Sequence, residues 1–402
     1  MPSHLSNNSA LPQSENKDQD AGSQGAASSA PIAILGAASS APTLLQPPKW
    51  VILGINNVCN LQCRMCDVGL GERATVFWAN LIGDHPQNMP LDLLQEIVRQ
   101  ARDFPAPPRF GLAFTEPLIH PRVVEFAREI VGHGFHCAIT SNGTTLERLA
   151  DALVEAGVQQ LNLSIDGPEA VHNRIRGGRE TFQKLYRGVE ALNAARRRRK
   201  TEFPRLTFSF TITDQNQDQI LAFLQQVAPL RPDHVVISQL NFITGAMAQA
   251  HNTRYGGALA VTRSNLGEME PETFDTAALA CELARVRAYL ADHSDAFPKV
   301  TLVPDQIGAE QLAAYYQNPL EFVGGRRCTD PWKMLMVRTD GSVIPAHGRC
   351  YNVPVGNVRE APLQEIWNGP RFQQFRQTLQ EAGGTLPACA RCCGVIGKPK
   401  GE

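Results

Sequence analysis

From Trp50 onward the chain alternates between short runs of apolar and β-branched residues and longer stretches with apolar positions three and four residues apart. Trp50–Asn56 reads as a strand and Leu91–Phe104 as an amphipathic helix. Arg109–Phe114 reads as the next strand, followed by a helix from about Pro121 to Val131. Phe135–Thr140 and Gln160–Ile165 are further strands. Between them a helix opens at Thr144 or Thr145 as N-cap and stops at Gly157, a residue type suited to a left-handed helix end. Then come the helix Glu180–Lys200, the strand Leu206–Ile212, the helix Gln215–Val227 and the strand Val235–Leu240. Six βα-like repeats imply an α/β fold with a parallel sheet and right-handed crossovers. In such barrels the reactive groups belong on loops at the carboxyl ends of the strands.

Beyond Leu240 the alternation changes. Pro271–His293 reads as a long amphipathic helix, Lys299–Val303 as a strand, and Met334–Ile344 as a hairpin turning at Asp340-Gly341. A last helix covers about Leu363–Glu381. The first 46 residues are rich in Ser, Ala, Gln, Asn and Gly and read as a disordered tail. Their apolar segment Ile32–Leu35 is too short for the core of a secretory signal. The expected organisation is a tail over 1–46, a partial barrel over 47–245, a connecting helical region over 246–327, a small metal-stapled domain over 328–395 and a tail over 396–402.

Charge excludes one class of function: 38 Lys and Arg stand against 39 Asp and Glu, so nothing points to nucleic acid. No apolar run is long enough to span a membrane, and the chain reads as cytoplasmic. Cysteine usage is more telling. Eight of the ten cysteines fall in two clusters, with only Cys137 and Cys281 outside. Close clusters in a mixed α/β chain read as metal ligands rather than as a disulfide framework.

The first cluster is Cys59-x3-Cys63-x2-Cys66. Three thiolates on one loop can bind three irons of a four-iron cluster and leave the fourth open to a ligand. A structural zinc site would want four closed ligands, and no fourth is suggested nearby. The spacing resembles the signature of the radical S-adenosylmethionine (radical SAM) superfamily. In that family the residue before the last cysteine is often aromatic; here Met65 fills the same apolar role. The family's Gly-Gly-Glu-like turn, which binds the amino group of S-adenosylmethionine, is matched by Phe114-Thr115-Glu116-Pro117, with Glu116 retained and both glycines replaced. Ser141-Asn142-Gly143 resembles the Thr-Asn-Gly turn of these barrels. Ser164-Ile165-Asp166 resembles the segment whose serine and aspartate approach the cofactor ribose. His172-Asn173-Arg174-Ile175-Arg176-Gly177 resembles His-Asp-x-Ile-Arg-Gly, where Arg176 would offer a bidentate partner for the cofactor carboxylate.

The second cluster, Cys328-x21-Cys350-x38-Cys389-x2-Cys392, supplies four thiolates. A closed zinc site could use the same four. The segments Asp340–Pro345, Val355–Val358 and Leu363–Trp367 resemble a SPASM domain or its shortened twitch form, modules that hold auxiliary four-iron clusters. Full SPASM modules usually carry seven cysteines. This region has five, and Ala346 stands where the family often has another. The resemblance therefore implies one auxiliary 4Fe–4S cluster, with Cys393 as spare thiol or alternative ligand. Cys137, mid-strand, and Cys281, on a helix among apolar neighbours, read as buried apolar residues. Cys281 would donate hydrogen to a substrate radical only if it faced the barrel mouth.

Taken together, the resemblance implies a partial (β/α)6 radical SAM barrel followed by a small SPASM/twitch-like domain. The implied enzyme binds S-adenosylmethionine on a 4Fe–4S cluster and cleaves it reductively to a 5′-deoxyadenosyl radical, which abstracts hydrogen from a substrate. The electron donor expected is a flavodoxin- or ferredoxin-type protein. No leader-binding domain is recognisable in the low-complexity tail, which favours a small molecule such as a sugar, cyclitol or natural-product intermediate. Maturation of a ribosomally made peptide is the alternative. An iron–sulfur electron carrier would keep the cysteines without needing Glu116, Ser164 or Arg176.

Overall fold

The computed structural model describes residues 46–293, 295, 297–304, 308–323 and 327–392. The expected tails, apart from Gln46, and Cys393 lie outside the described residues. Alternating apolar runs build β1 (Trp50–Leu53), β2 (Arg109–Leu112), β3 (Cys137–Ser141), β4 (Gln160–Ser164), β5 (Arg205–Ile212) and β6 (His234–Gln239). They pair in chain order, all parallel. At one edge β7 (Val300–Val303) adds to β6, also parallel. At the other edge β8 (Met334–Val337) pairs parallel with β1 and continues into antiparallel β9 (Ser342–Ile344) and β10 (Gly356–Asn357). The hairpin at Asp340-Gly341 is thus sewn onto the barrel sheet through β8.

The two faces of the sheet differ. Leu161, Leu163, Leu206, Phe208, Phe210, Val235 and Ile237 are buried in one core with helix residues such as Leu146, Leu185 and Phe223. Gln160, Asn162, Ser164, Ser209, Thr211 and Ser238 alternate with them and stay partly exposed. A closed barrel fills its interior with bulky branched side chains. This sheet instead keeps a polar inner face, a surface that can meet a polar ligand.

Several elements depart from the expected bounds, each for a local reason. β1 stops at Leu53 instead of Asn56 because the chain leaves the ladder toward the cysteine loop, and Asn56 pairs with Asn88. The helix expected from Gln215 begins only at Ile220. Asn216 holds the preceding turn: its Oδ1 accepts from Thr213 N–H, and its Nδ2 donates to the carbonyls of Asp166 and Thr211. Such side-chain bonds to backbone compete with helix formation. The long helix expected from Pro271 starts at Thr276, where Asp275 accepts from Ala278 N–H as N-cap. The last helix splits into Leu363–Asn368 and Pro370–Glu381, since Pro370 favours a first helical turn over an interior one. The helices Asp67–Leu70, Val76–Leu81, Glu169–Arg176, Gly245–Leu259 and Ala309–Gln317 are additional to those expected.

The lone cysteines separate. Cys137 is fully buried, and burial pushes its thiol up to about 12. Cys281 is exposed, contrary to expectation, because its helix buries Leu279, Glu282, Leu283 and Val286 on the other side.

Candidate active site

The chain leaves β1 through Gly54 and returns as the loop carrying Cys59, Cys63 and Cys66. Cys63 is buried, Cys66 half-buried and Cys59 exposed. Backbone bonds fix the loop: Arg64 N–H donates to Ile175 O (2.9 Å), and Cys66 N–H to Cys63 O (3.1 Å). Three glycines press on it, Gly69 from the turn directly after Cys66 and Gly177 and Gly267 from distant segments. A Cβ on Gly69 would lie 2.4 Å from Cys63 N, one on Gly177 2.5 Å from Gln62 O, and one on Gly267 2.1 Å from Arg64 O. Gly177 and Gly267 also have positive φ, +76° and +56°, which glycine adopts without steric cost. Only hydrogen fits at these three positions, so the loop is clamped by backbone.

Glu116 sits at the end of β2 with 1% of its surface exposed. Its Oε1 accepts from Ser141 Oγ (2.7 Å) and Leu118 N–H (2.9 Å), and its Oε2 from Asn142 N–H (2.6 Å). Burial pushes this carboxyl above its ordinary value, although the three donors pull the other way. The turn before it keeps a left-handed backbone without glycine: Phe114 has φ 86°. The ring finds room because Gly54 faces it, where a Cβ would come within 2.8 Å. Asn142 reaches the cysteine loop by donating to Asn60 Oδ1 (2.8 Å).

Asp166, at the end of β4, has no solvent exposure. Its Oδ2 accepts from Arg176 Nε (2.5 Å) and its Oδ1 from Thr211 N–H (2.9 Å). Arg176 Nη1 then stands 3.7 Å from Cys63 Sγ. The arginine expected to face a cofactor carboxylate is therefore placed between an aspartate and a cysteine. Ser164 lies on the inner face, in register with Ser209. Met65 lines a cavity of about 170 Å³ with Ile175, Thr213, Asp214, Leu240 and Glu268.

The cysteine loop fits a cluster on charge grounds. Burial pushes the Cys63 thiol up to about 12, with Arg176 opposing. A coordinating thiol is deprotonated outright by its metal, and the adjacent guanidinium compensates that charge.

In the C-terminal region Cys389 is buried, while Cys328, Cys350 and Cys392 are half-buried. Burial holds the Cys350 thiol well above its ordinary value, and the proximity of Cys389 and then Cys328 adds to the shift. Among the described residues no three His, Cys, Asp or Glu side chains converge as ligands of one metal ion.

A bridge between the two cysteine regions had no signal in the sequence. Asp67, directly after Cys66, accepts from Ser264 Oγ (2.6 Å) and Asn265 N–H (2.7 Å). With its amide oriented to satisfy both atoms, Asn265 accepts from Arg349 Nη2 (2.5 Å) and Nε (2.9 Å), and Arg349 precedes Cys350. These partners lie more than 80 residues apart, so no spacing pattern could have joined them.

Two outcomes are expected. Gly177→Ala forces the loop off its position, so reconstitution should yield about four fewer irons per chain while the C-terminal site still loads. His172, whose Nδ1 accepts from Asp166 N–H, is held neutral by burial down to about 3. Its folded value lies below the unfolded one, so its contribution is complete above about pH 6.5 and is lost as pH falls toward 3. His172→Asn should therefore be less acid-sensitive than wild type, by ~2 kcal/mol near pH 5 in denaturant unfolding. Equal acid sensitivity would contradict the assignment.

Comparison with known proteins agrees with this geometry. The model of the radical SAM superfamily matches residues 53–227, and that of SPASM, an iron–sulfur cluster-binding domain, matches 328–393. The AdoMet-dependent heme synthase of Methanosarcina barkeri is 36% identical over 349 residues, covering 85% of this chain and 88% of that protein. The tungsten-containing aldehyde ferredoxin oxidoreductase cofactor-modifying protein of Pyrococcus furiosus is 25% identical over 361 residues, covering 86% and 87%. Among solved structures, Streptococcus suis SuiB bound to its precursor peptide SuiA aligns with a TM-score of 0.56 at 13% identity, covering 86% of this chain and 71% of that one. The structure of anSMEcpe with bound AdoMet and a peptide aligns at 0.54 and 18% identity, covering 82% of each chain. This chain belongs to the radical SAM superfamily, as an enzyme with a C-terminal SPASM domain whose cofactors are 4Fe–4S clusters and S-adenosylmethionine.

Proposed function

We propose that this enzyme modifies a peptide by removing a hydrogen atom from one of its residues, with an auxiliary cluster on Cys328, Cys350, Cys389 and Cys392. The observation that carries the chemistry is the cysteine loop clamped beside Glu116 and the Asp166–Arg176 pair at the carboxyl ends of the strands. When bound, the barrel cluster supplies the electron that cleaves S-adenosylmethionine to methionine and a 5′-deoxyadenosyl radical, the species that takes hydrogen from the substrate.

The protein's own groups orient the cofactor. Cys59, Cys63 and Cys66 hold three irons and leave one open. A carboxylate has about four acceptor sites, and three of those on Glu116 are already used. The remaining site suits the cofactor ammonium. Ser141 and Asn142 hold that carboxylate in place, and Ser164, on the inner face, would offer its hydroxyl to the ribose. Both oxygens of Asp166 are committed, so it acts by holding Arg176. Met65 supplies an apolar wall. A flavodoxin- or ferredoxin-type protein of the cytoplasm would deliver the electron.

The cavity beside Met65 supports the peptide reading. It opens beside the cysteine loop with both apolar and acidic lining, where a substrate side chain could enter. Two of the aligned structures, SuiB and anSMEcpe, hold peptides. The small-molecule reading keeps a specific support in the cofactor-modifying and heme synthase relatives, which match along most of their length.

The test is reductive cleavage of S-adenosylmethionine by reconstituted enzyme, with hydrogen transfer traced from deuterated precursor peptides encoded beside its gene. Label appearing in 5′-deoxyadenosine supports the peptide reading; uncoupled cleavage with every peptide favours the small molecule. Cys63→Ala should abolish cleavage, and retained cleavage overturns the core assignment. Cys389→Ala should remove about four irons and leave cleavage intact, whereas an unchanged iron count rules out the auxiliary cluster.

A further inference from the structure

Tyr351 follows Cys350 in the chain, and 3% of its surface is exposed. Its hydroxyl stands 3.7 Å from Cys389 Sγ, within hydrogen-bond range for sulfur. The ring is wedged in place, stacked on His251 at 5.6 Å between centroids and tilted against Phe375 at 5.5 Å. His251 is itself fully buried and fixed by its Nε2 on Leu259 O (2.7 Å). A buried tyrosine hydroxyl ordinarily finds a hydrogen-bond partner, and the one that this hydroxyl meets is a cysteine sulfur.

We infer that Tyr351 sets the reduction potential of the auxiliary cluster by donating a hydrogen bond to the Cys389 thiolate. The inference rests on the reading that Cys328, Cys350, Cys389 and Cys392 hold that cluster. In the free protein either atom can donate; an iron-bound thiolate has no proton, so only the hydroxyl can. Reduction adds electron density at the sulfurs, so a donor there stabilises the reduced state more than the oxidised one. Hydrogen bonds to the ligand sulfurs are among the levers that set such potentials. Burial strengthens this one, because water cannot replace the lost donor.

The barrel site offers a contrast. There the donor facing Cys63 is Arg176, whose charge is balanced by Asp166 at 2.5 Å. At Cys389 the donor is neutral, and the negative charge of Asp330 acts on the same sulfur. The two clusters would thus be tuned by separate groups.

The experiment is a redox titration of the reconstituted holoenzyme, wild type against Tyr351→Phe, followed by electron paramagnetic resonance. Wild type must first bind about eight irons; a count of about four overturns the auxiliary-cluster reading itself, separately from the role of Tyr351. With both clusters present, Tyr351→Phe should lower the auxiliary midpoint, leave the barrel midpoint in place, and abolish an exchangeable-proton coupling seen by pulsed methods in wild type. Phe375→Leu loosens the same packing but keeps the hydroxyl, and should leave the auxiliary midpoint unchanged. An unchanged midpoint in Tyr351→Phe, an equal shift of both clusters, or an equal shift in Phe375→Leu overturns the inference. Failure of Tyr351→Phe to load the second cluster also overturns it, assigning the residue to ligand assembly instead.

Discussion

The mouth of this sheet depends on one buried ion pair. Asp166 has no solvent exposure, and each of its polar atoms is committed: to Arg176 and, through its N–H, to His172 on one helix, to Thr211 on β5, and through its carbonyl to Asn216 in the turn after it. Removing one partner of such a pair leaves an uncompensated buried charge, at a cost of about 3–5 kcal/mol. Arg176 carries the constraint onward to Cys63, and Gly177, the next residue, turns left-handed against Gln62. The ion pair and the clamp on the cysteine loop are therefore one device, with the helix Glu169–Arg176 as its lever.

The same logic joins the two cysteine regions. The C-terminal hairpin enters the sheet through β8, and Thr339 donates to Gly54 O just before the cysteine loop. From Cys66 the chain Asp67, Asn265 and Arg349 leads to Cys350. Asn265 holds a left-handed backbone, φ 57°, a conformation that costs of order 1–3 kcal/mol outside glycine. The surrounding bonds over-determine it. Such a bridge fixes the spacing between the two cysteine regions.

Much of the site was legible because its residues sit at strand ends, where short motifs have a defined place. Glu116, Ser141 and Asn142 come from two neighbouring strand ends, and the structure bonds them to one another. The helix Glu169–Arg176 was read only as a motif, since its apolar positions are few and its function lies in its polar ones. Arg176 shows the limit of motif reading. Its residue type announces an anionic partner, but the sequence does not say that its Nε is taken by Asp166 while Nη1 stands near Cys63. Cys281 shows the same limit for burial: its neighbours are apolar, yet helix rotation turns it to solvent.

What the sequence determined alone is therefore local: the strand and helix periods, the succession of six βα-like repeats along the chain and the two cysteine clusters with their spacing. These follow from forces acting over a few residues, namely side-chain alternation at period two, helical facing at 3.6, and the reach of a short loop. The tertiary structure alone decided that β8 extends the sheet at β1, that the distant glycines Gly177 and Gly267 clamp the loop, and that Tyr351 meets Cys389. Contacts of this kind join positions tens to hundreds of residues apart, and they leave no mark on local periodicity because either partner reads the same without the other.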